Sequence, residues 1–376
     1  MYKYLIVICL LGSFKLSFSQ PANSIKPQTP QPPFPYIVDT LVYQQGPDSL
    51  RYGVTLTIPN GAGPFPAIIL ITGSGAQDRD ETIFNHKPFA VLADFLTRQG
   101  YLVMRVDDRG IGRSSGNFSQ STTYDFAQDV NNHIEFLKKR KDVRKDKIGL
   151  LGHSEGGMIA PLVAASNKDI KFIILMAGPG IPVYRLMAEQ NEAVLKSSGI
   201  DSLAAKDYSV FFSAIMPKLA AAPDTGTAKA LLTAALKDWQ LTEHPNRVMA
   251  TTGIHDETSF NRYVSLVVQQ VYTPWFRAFL LFDPQPYLKK LHCKVLALNG
   301  SKDIQVIPAS NLEGIRSCLA VSSTKHYQVE ELPGLNHLFQ TCKACTFPEY
   351  ATLSESISPV ALQTIGDWLQ KEISAK

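Results

Sequence analysis

Gly152-His153-Ser154-Glu155-Gly156 is the stretch of this sequence that most directly implies chemistry. A serine with a glycine two residues to either side suits a sharp turn from strand to helix. Neighbouring chain is kept away there, and the hydroxyl is pushed into the open. The flanks agree. Ile148-Gly149-Leu150-Leu151 reads as a strand, and a small-residue helix is expected to follow through Ala165. A serine hydroxyl is a weak nucleophile and needs a positioned base. Of the eight histidines, His337 has the right placement, in Pro333-Gly334-Leu335-Asn336-His337 after the last strand. That loop falls at the carboxyl edge of the sheet, where Ser154 is expected and where functional groups of open α/β sheets gather. The base in turn needs an acid to fix its tautomer and stabilise the imidazolium. Asp303 supplies one, in Asn299-Gly300-Ser301-Lys302-Asp303 just past another strand. The chemistry these three residues imply is acyl transfer.

The remaining candidates have plainer readings. His153 adjoins the serine but points elsewhere on such a turn, so it reads as structural. His86, His133, His244, His255, His292 and His326 fall on helices, in an insertion or at strand starts, as packing or surface residues. Asp107, Asp108 and Asp283 read as residues that fix loops.

The elements that must position these groups alternate between strand and helix, which argues for a mostly parallel sheet covered on both faces. Residues 37–44 and 52–58 are expected to open it as an antiparallel pair. Ala67–Ile71, Leu102–Val106, Ile148–Leu151, Phe172–Met176, Val295–Leu298 and Tyr327–Leu332 read as its further strands. Phe89, Leu92 and Leu96 share a helical face that Gly100 ends. Phe126, Val130, Ile134 and Leu137 mark another helix, with Thr122 or Thr123 as its cap. Pro161 is expected to kink the helix after Ser154. Pro359 to Ile373 closes the chain, with Ser358-Pro359 in cap-then-proline order. Between Pro179 and about Tyr272 the rhythm stops. Helices near 184–197, 202–220, 226–239 and 256–270 follow one another, and residues 180–272 read as a helical insertion.

The chain resembles the α/β-hydrolases, and within them the exported bacterial esterase-like members near the serine-aminopeptidase-like and prolyl-oligopeptidase-like groups. The resemblance is carried by Thr72 to Asp80, Asn85 to Phe89, Asp107 to Ser114, Gly152 to Gly157, Gly300 to Val306 and Gly334 to Gln340, and covers residues 36–373. It implies an α/β-hydrolase fold with a mostly parallel eight-stranded sheet, helices on both faces and a helical lid. The order Ser154, Asp303, His337 matches nucleophile, acid and base of that fold. The resemblance also implies an oxyanion hole built from the backbone N–H of Glu155 and a second donor in Gly73-Ser74-Gly75, taken as Ser74. Thr72 stands where many members carry histidine. The lid is expected to shape the substrate pocket, with Tyr272, Trp275 and Phe276 as pocket candidates that read equally well as ordinary core aromatics.

The expected reaction is hydrolysis of a small-molecule carboxylic ester through an acyl-enzyme, which requires no metal or cofactor. Peptidase or thioesterase activity uses the same three groups. Glu189 and Glu192 are candidates for binding a free amino terminus, although an exposed helix face explains them better. A binding protein on the same fold is the alternative from another class.

Composition narrows the field. The chain has 376 residues, 45% hydrophobic and 19% charged, which suits a folded globular protein. Its net charge of +4 is too weak to imply a nucleic-acid partner. Lys3, the apolar run Leu5–Leu11 and Ser17-Phe18-Ser19 form the pattern of an export signal cut after Ser19, with an uncleaved anchor as the alternative. Its removal takes two lysines and leaves a charge of +2. No other stretch is long enough to span a bilayer, which needs roughly 20 apolar residues. The expected location is periplasmic or extracellular. Residues 20–35 hold six prolines and read as an extended, poorly packed tether, with the hydrolase domain over 36–376. Four cysteines remain after cleavage: Cys293, Cys318, Cys342 and Cys345. One or two disulfides suit an exported chain. Buried thiols come next, and a metal site ranks last.

Overall fold

The computed structural model describes residues 25–46 and 49–373. The expected export signal, 1–19, lies outside the described residues, as do the first residues of the expected tether, 20–24. The sheet contains β1 (Tyr36–Gln45), β2 (Leu50–Pro59), β3 (Phe65–Ile71), β4 (Leu102–Val106), β5 (Val143–His153), β6 (Ile170–Met176), β7 (Lys294–Gly300) and β8 (Tyr327–Leu332). Their order across the sheet is β1-β2-β4-β3-β5-β6-β7-β8. β2 pairs antiparallel with β1 and β4, and every pairing from β4 to β8 is parallel. The inner strands are buried on both faces, hence their unbroken apolar runs. β1 alternates between exposed and half-buried residues, as a strand at the sheet's edge should.

Helices seal the two faces. On one side Val130, Ile134 and Leu137 of the helix Thr123–Lys138 join Ile159 and Val163 of Gly156–Ala164 in a single apolar cluster. On the other, Phe89, Leu92 and Leu96 of Pro88–Arg98 pack with Leu362, Ile365 and Leu369 of Pro359–Glu372. Thr122 caps Thr123–Lys138 reciprocally with Asp125, an arrangement typically contributing about 1 kcal/mol. Gly156–Ala164 continues through Pro161 and ends one residue earlier than expected. The sequence reading overlooks the helix Pro308–Ala320, although Pro308 at its first turn and buried Leu312, Ile315 and Leu319 announce one.

The tether reading needs correction where the chain is described. Lys26 Nζ donates to the carbonyls of Ala351 and Leu353 at 2.9 and 2.7 Å. The Gln28 amide donates to Ile357 O at 2.8 Å and accepts from Ile357 N at 3.0 Å. The segment turns at Lys26–Thr29, where Thr29 N donates to Lys26 O at 2.9 Å, and its polar side chains fasten it to the domain.

Residues 181–283 form a second compact unit, ending eleven residues beyond the expected 272. It is helical: Val183–Ser197, Ser202–Ala221, Thr225–Thr242, Pro245–Thr252, Glu257–Val271 and Pro274–Leu280. Leu195, Phe212, Leu219, Leu232, Val264 and Val271 are among its buried residues. Its two ends meet, since Val183 N donates to Phe282 O at 3.0 Å. Among the described residues no helix is long and apolar enough to cross a membrane.

Candidate active site

Ser154 stands at the corner between β5 and the helix Gly156–Ala164, with φ at 53°. That left-handed conformation costs a non-glycine residue about 1–2 kcal/mol, so the surroundings must enforce it. They do so through backbone groups. Ser154 N donates to Met176 O at 2.9 Å, and Gly157 N donates to Ser154 O at 2.8 Å. The flanking glycines are steric requirements. A Cβ on Gly152 would fall 2.0 Å from Gly156 O, and one on Gly156 would fall 2.2 Å from Ile71 O. The end of β3 thus runs directly against the turn. Gly73, two residues past β3, would carry a Cβ only 3.2 Å from that of Ser154.

Asp303 and His337 meet as the sequence reading expects. The imidazole donates from Nδ1 to Asp303 Oδ2 at 2.7 Å, and both side chains are buried. The other carboxylate oxygen accepts from Gln305 N at 2.7 Å and Val306 N at 3.0 Å, which fixes its plane. With Nδ1 committed as a donor, Nε2 is the nitrogen left to exchange a proton. Gly300 makes room for the pairing, because a Cβ there would lie 2.2 Å from Leu335 O in the histidine's loop. The loop is pinned from within. Asn336 Oδ1 accepts from Leu338 N and Gln340 N, each at 3.0 Å, and Asn336 Nδ2 donates to Gln340 Oε1 at 2.9 Å. Just beyond, Cys342 and Cys345 form a disulfide with a Cα–Cα distance of 5.1 Å.

Cys293 and Cys318 are buried and lie outside any disulfide, so among the described residues one disulfide forms rather than two. Burial pushes the Cys293 thiol up to about 12. Cys342, Cys345 and Glu349 form a cluster of metal-ligand type, but both sulfurs sit in the disulfide and Glu349 accepts from Lys343 N and Cys345 N.

The loop from Thr72 to Arg79 is held by two acids. Asp108 accepts from Thr72 Oγ1 and from Gln77 N, both at 2.8 Å. Burial pushes the Asp108 carboxyl up to about 8, outweighing those two hydrogen bonds. Asp107 receives Arg79 from Nε at 2.9 Å and from Nη2 at 2.5 Å, and also accepts from Arg113 N at 2.9 Å. Burial alone would raise Asp107, but the Arg79 and Arg113 donors bring it below the usual carboxylate range. Both acids fix loops, as the sequence suggests. Ser74 is buried and its hydroxyl has no partner among the described residues. The side chain of Glu155 is buried and accepts from Thr123 Oγ1 at 2.7 Å.

Sequence reasoning misses Glu81. It is buried, its φ is 51°, and Oε1 accepts from Gly73 N at 2.6 Å. The same oxygen lies 3.0 Å from His153 Nδ1, whose Nε2 is 3.0 Å from His337 O. The available signal was its place one residue after the Thr72–Asp80 stretch.

Tyr272, Trp275 and Phe276 lie in the helical unit, apart in sequence from these groups. The Tyr272 hydroxyl donates to Ala222 O at 2.8 Å, Trp275 stacks on Phe279 at 5.1 Å between centroids, and Phe276 is buried. Glu192 in that unit is paired with Lys196 at 2.6 Å and Lys206 at 3.5 Å.

Comparison with known proteins bears on this arrangement. The family described as serine aminopeptidase S33 matches residues 86–339. Esterase EstD of Thermotoga maritima is 35% identical over 147 residues, covering 39% of this chain and 35% of that protein. The protein YtaP of Bacillus subtilis is 27% identical over 128 residues, covering 30% of this chain and 43% of the relative. The matched part is thus less than half the length of either relative. The crystal structure of the α/β-hydrolase GrgF from Penicillium sp. superposes with a TM-score of 0.53 at 14% identity, over 90% of this chain and 99% of that one. That likeness shows an α/β-hydrolase fold.

Proposed function

This chain belongs to the serine aminopeptidase S33 family of hydrolases, and from that premise we propose that it cleaves carboxylic esters through an acyl-enzyme. The observation that carries the reading is the buried Asp303–His337 hydrogen bond in the same unit as a serine on a left-handed turn. Ser154 Oγ attacks the ester carbonyl as His337 Nε2 takes its proton. Asp303 holds the ring and stabilises the imidazolium. The proton then passes to the leaving alkoxide, and the acyl group stays on Ser154. Water, deprotonated by His337, attacks the acyl-enzyme and releases the acid. Negative charge on the carbonyl oxygen is met by backbone N–H groups, taken as those of Glu155 and Ser74. Gly73 is a poor candidate because its N–H is given to Glu81. One such donor typically contributes about 3 kcal/mol to the transition state.

The esterase relative supports ester over peptide cleavage, and the ion pairs of Glu192 with Lys196 and Lys206 remove one candidate for binding a free amino terminus. The lid reading of the helical insertion, with Tyr272, Trp275 and Phe276 as pocket candidates, belongs to the same proposal. So does export, which the leading apolar run and the Cys342–Cys345 disulfide support.

A fluorophosphonate probe tests the reading. It should label the wild type at Ser154 and leave Ser154→Ala untouched. A folded wild type that takes no label overturns it. A panel of p-nitrophenyl esters, aminoacyl anilides and acetylated sugars then separates ester from peptide hydrolysis.

A further inference from the structure

Two buried groups that the proposed reaction leaves unused lie directly behind it. Glu81 and His153 are each about 5% exposed. Around them, Phe89, Leu92, Met176, Leu338, Phe339 and Ile357 make an apolar wall. Unpaired charge in such a place is costly, so the pair must satisfy itself.

The hydrogen bonds suit a charged pair. His153 Nε2 faces the carbonyl of His337, which can only accept, so Nε2 carries a hydrogen. His153 Nδ1 faces Glu81 Oε1, which also receives the N–H of Gly73; an ionised carboxylate there can only accept, and Nδ1 then carries a hydrogen as well. A ring with hydrogen on both nitrogens is an imidazolium. The titratable groups facing it are Glu81 from the loop after β3, Asp303 from the loop after β7 and His337 from the loop after β8. Burial pushes the His153 ring down, and Glu81 together with the His337 carbonyl more than reverses this. The backbone is also committed to the arrangement. Glu81 takes a left-handed φ of 51°, stabilised by its N–H to Asp78 O at 2.9 Å.

We propose that Glu81 and His153 are positioning residues, a buried carboxylate–imidazolium pair that ties the turn at Gly73 to the loop of His337. The inference rests on the reading of Ser154, Asp303 and His337 as nucleophile, acid and base. In that reading the Gly73 turn carries an oxyanion donor and the His337 loop carries the base. Both act on the transition state. One side chain pair therefore sets the spacing of two groups contributed by separate strands. It also gives the histidine of the serine's own turn a task beyond filling space.

The test combines spectroscopy with kinetics. In wild-type protein labelled with ¹⁵N-histidine, one ring should keep both N–H protons above the pH at which an ordinary histidine loses one. The signal should vanish in His153→Gln. A wild-type spectrum with no doubly protonated ring overturns the proposal, whether or not any variant folds. On a p-nitrophenyl ester, Glu81→Ala and His153→Ala should each lower kcat by about 10²-fold, the cost of a misplacement near 1 Å, with KM little changed. Glu81→Ala/His153→Ala should lose no more than the worse single variant. A folded His153→Ala with wild-type kcat, or with a change confined to KM, overturns the proposal while the triad stands. Wild-type kcat in His337→Ala would instead overturn the triad reading and this one with it.

Discussion

His337 and Asp303 are joined by one hydrogen bond of 2.7 Å, and the carboxylate directs its other oxygen to the backbone of Gln305 and Val306. The ring is thereby offered a single acceptor, and its tautomer follows from that. Asp303→Asn keeps the volume but can present an N–H to Nδ1, which selects the opposite tautomer. Steady-state hydrolysis of p-nitrophenyl acetate should show kcat lower by about 10⁴-fold with the fold intact. A loss below tenfold would contradict the assignment of the acid.

Asp108 gives a stability prediction that runs against the usual behaviour of acids. Burial holds its carboxyl up to about 8, whereas an unfolded chain releases that proton near pH 3.9. Between these values the folded state keeps a proton that the unfolded state has lost. Its contribution to stability therefore declines as pH rises through the window. Asp108→Asn mimics the neutral form. Thermal melts should place this variant above the wild type at pH 8.5 and close to it at pH 5.

Two buried histidines act in the opposite range. Burial holds His133 down to about 3 and His86 to about 4, against roughly 6.5 in an unfolded chain. The unfolded state binds protons that the folded state refuses. The stability they contribute is complete above pH 6.5 and is lost as pH falls toward 4. His133→Asn combined with His86→Asn should flatten the fall in melting temperature between pH 6.5 and 4. An unchanged slope would show that these rings are not the source.

The Cys342–Cys345 disulfide closes a very short loop, so its entropic contribution is small, about 2 kcal/mol. It nevertheless lies close to the base, since Cys342 N donates to Gly334 O at 3.2 Å within the His337 loop. Replacing both cysteines with serine should lower stability in urea by about that amount. Dithiothreitol should reproduce the loss in the wild type and add nothing to the variant.

The strand–helix rhythm, the turn at Ser154 and the strand-end loops that carry Asp303 and His337 were legible because each rests on local rules. Apolar runs, paired glycines and loops at strand ends all show in a single stretch of chain. Glu81 was not legible. Its partners, Gly73 and His153, come from other segments, and the left-handed backbone that aims it has no glycine to advertise it. The tether failed for a related reason. Six prolines describe a stiff chain, but the side chains of Lys26 and Gln28 decide where it lies. The helix Pro308–Ala320 does show in the sequence, in the spacing of Leu312, Ile315 and Leu319.

The joined ends of residues 181–283 make that unit a replaceable cassette. Val183 pairs with Phe282 inside it, and on the sheet side the Gln285 amide donates to Gly180 O at 3.3 Å, so departure and return share one doorway. A different insert with similarly spaced ends could be grafted there without disturbing the register of β6 and β7. Evolution or an engineer could then exchange the whole unit while leaving Ser154, Asp303 and His337 as they are.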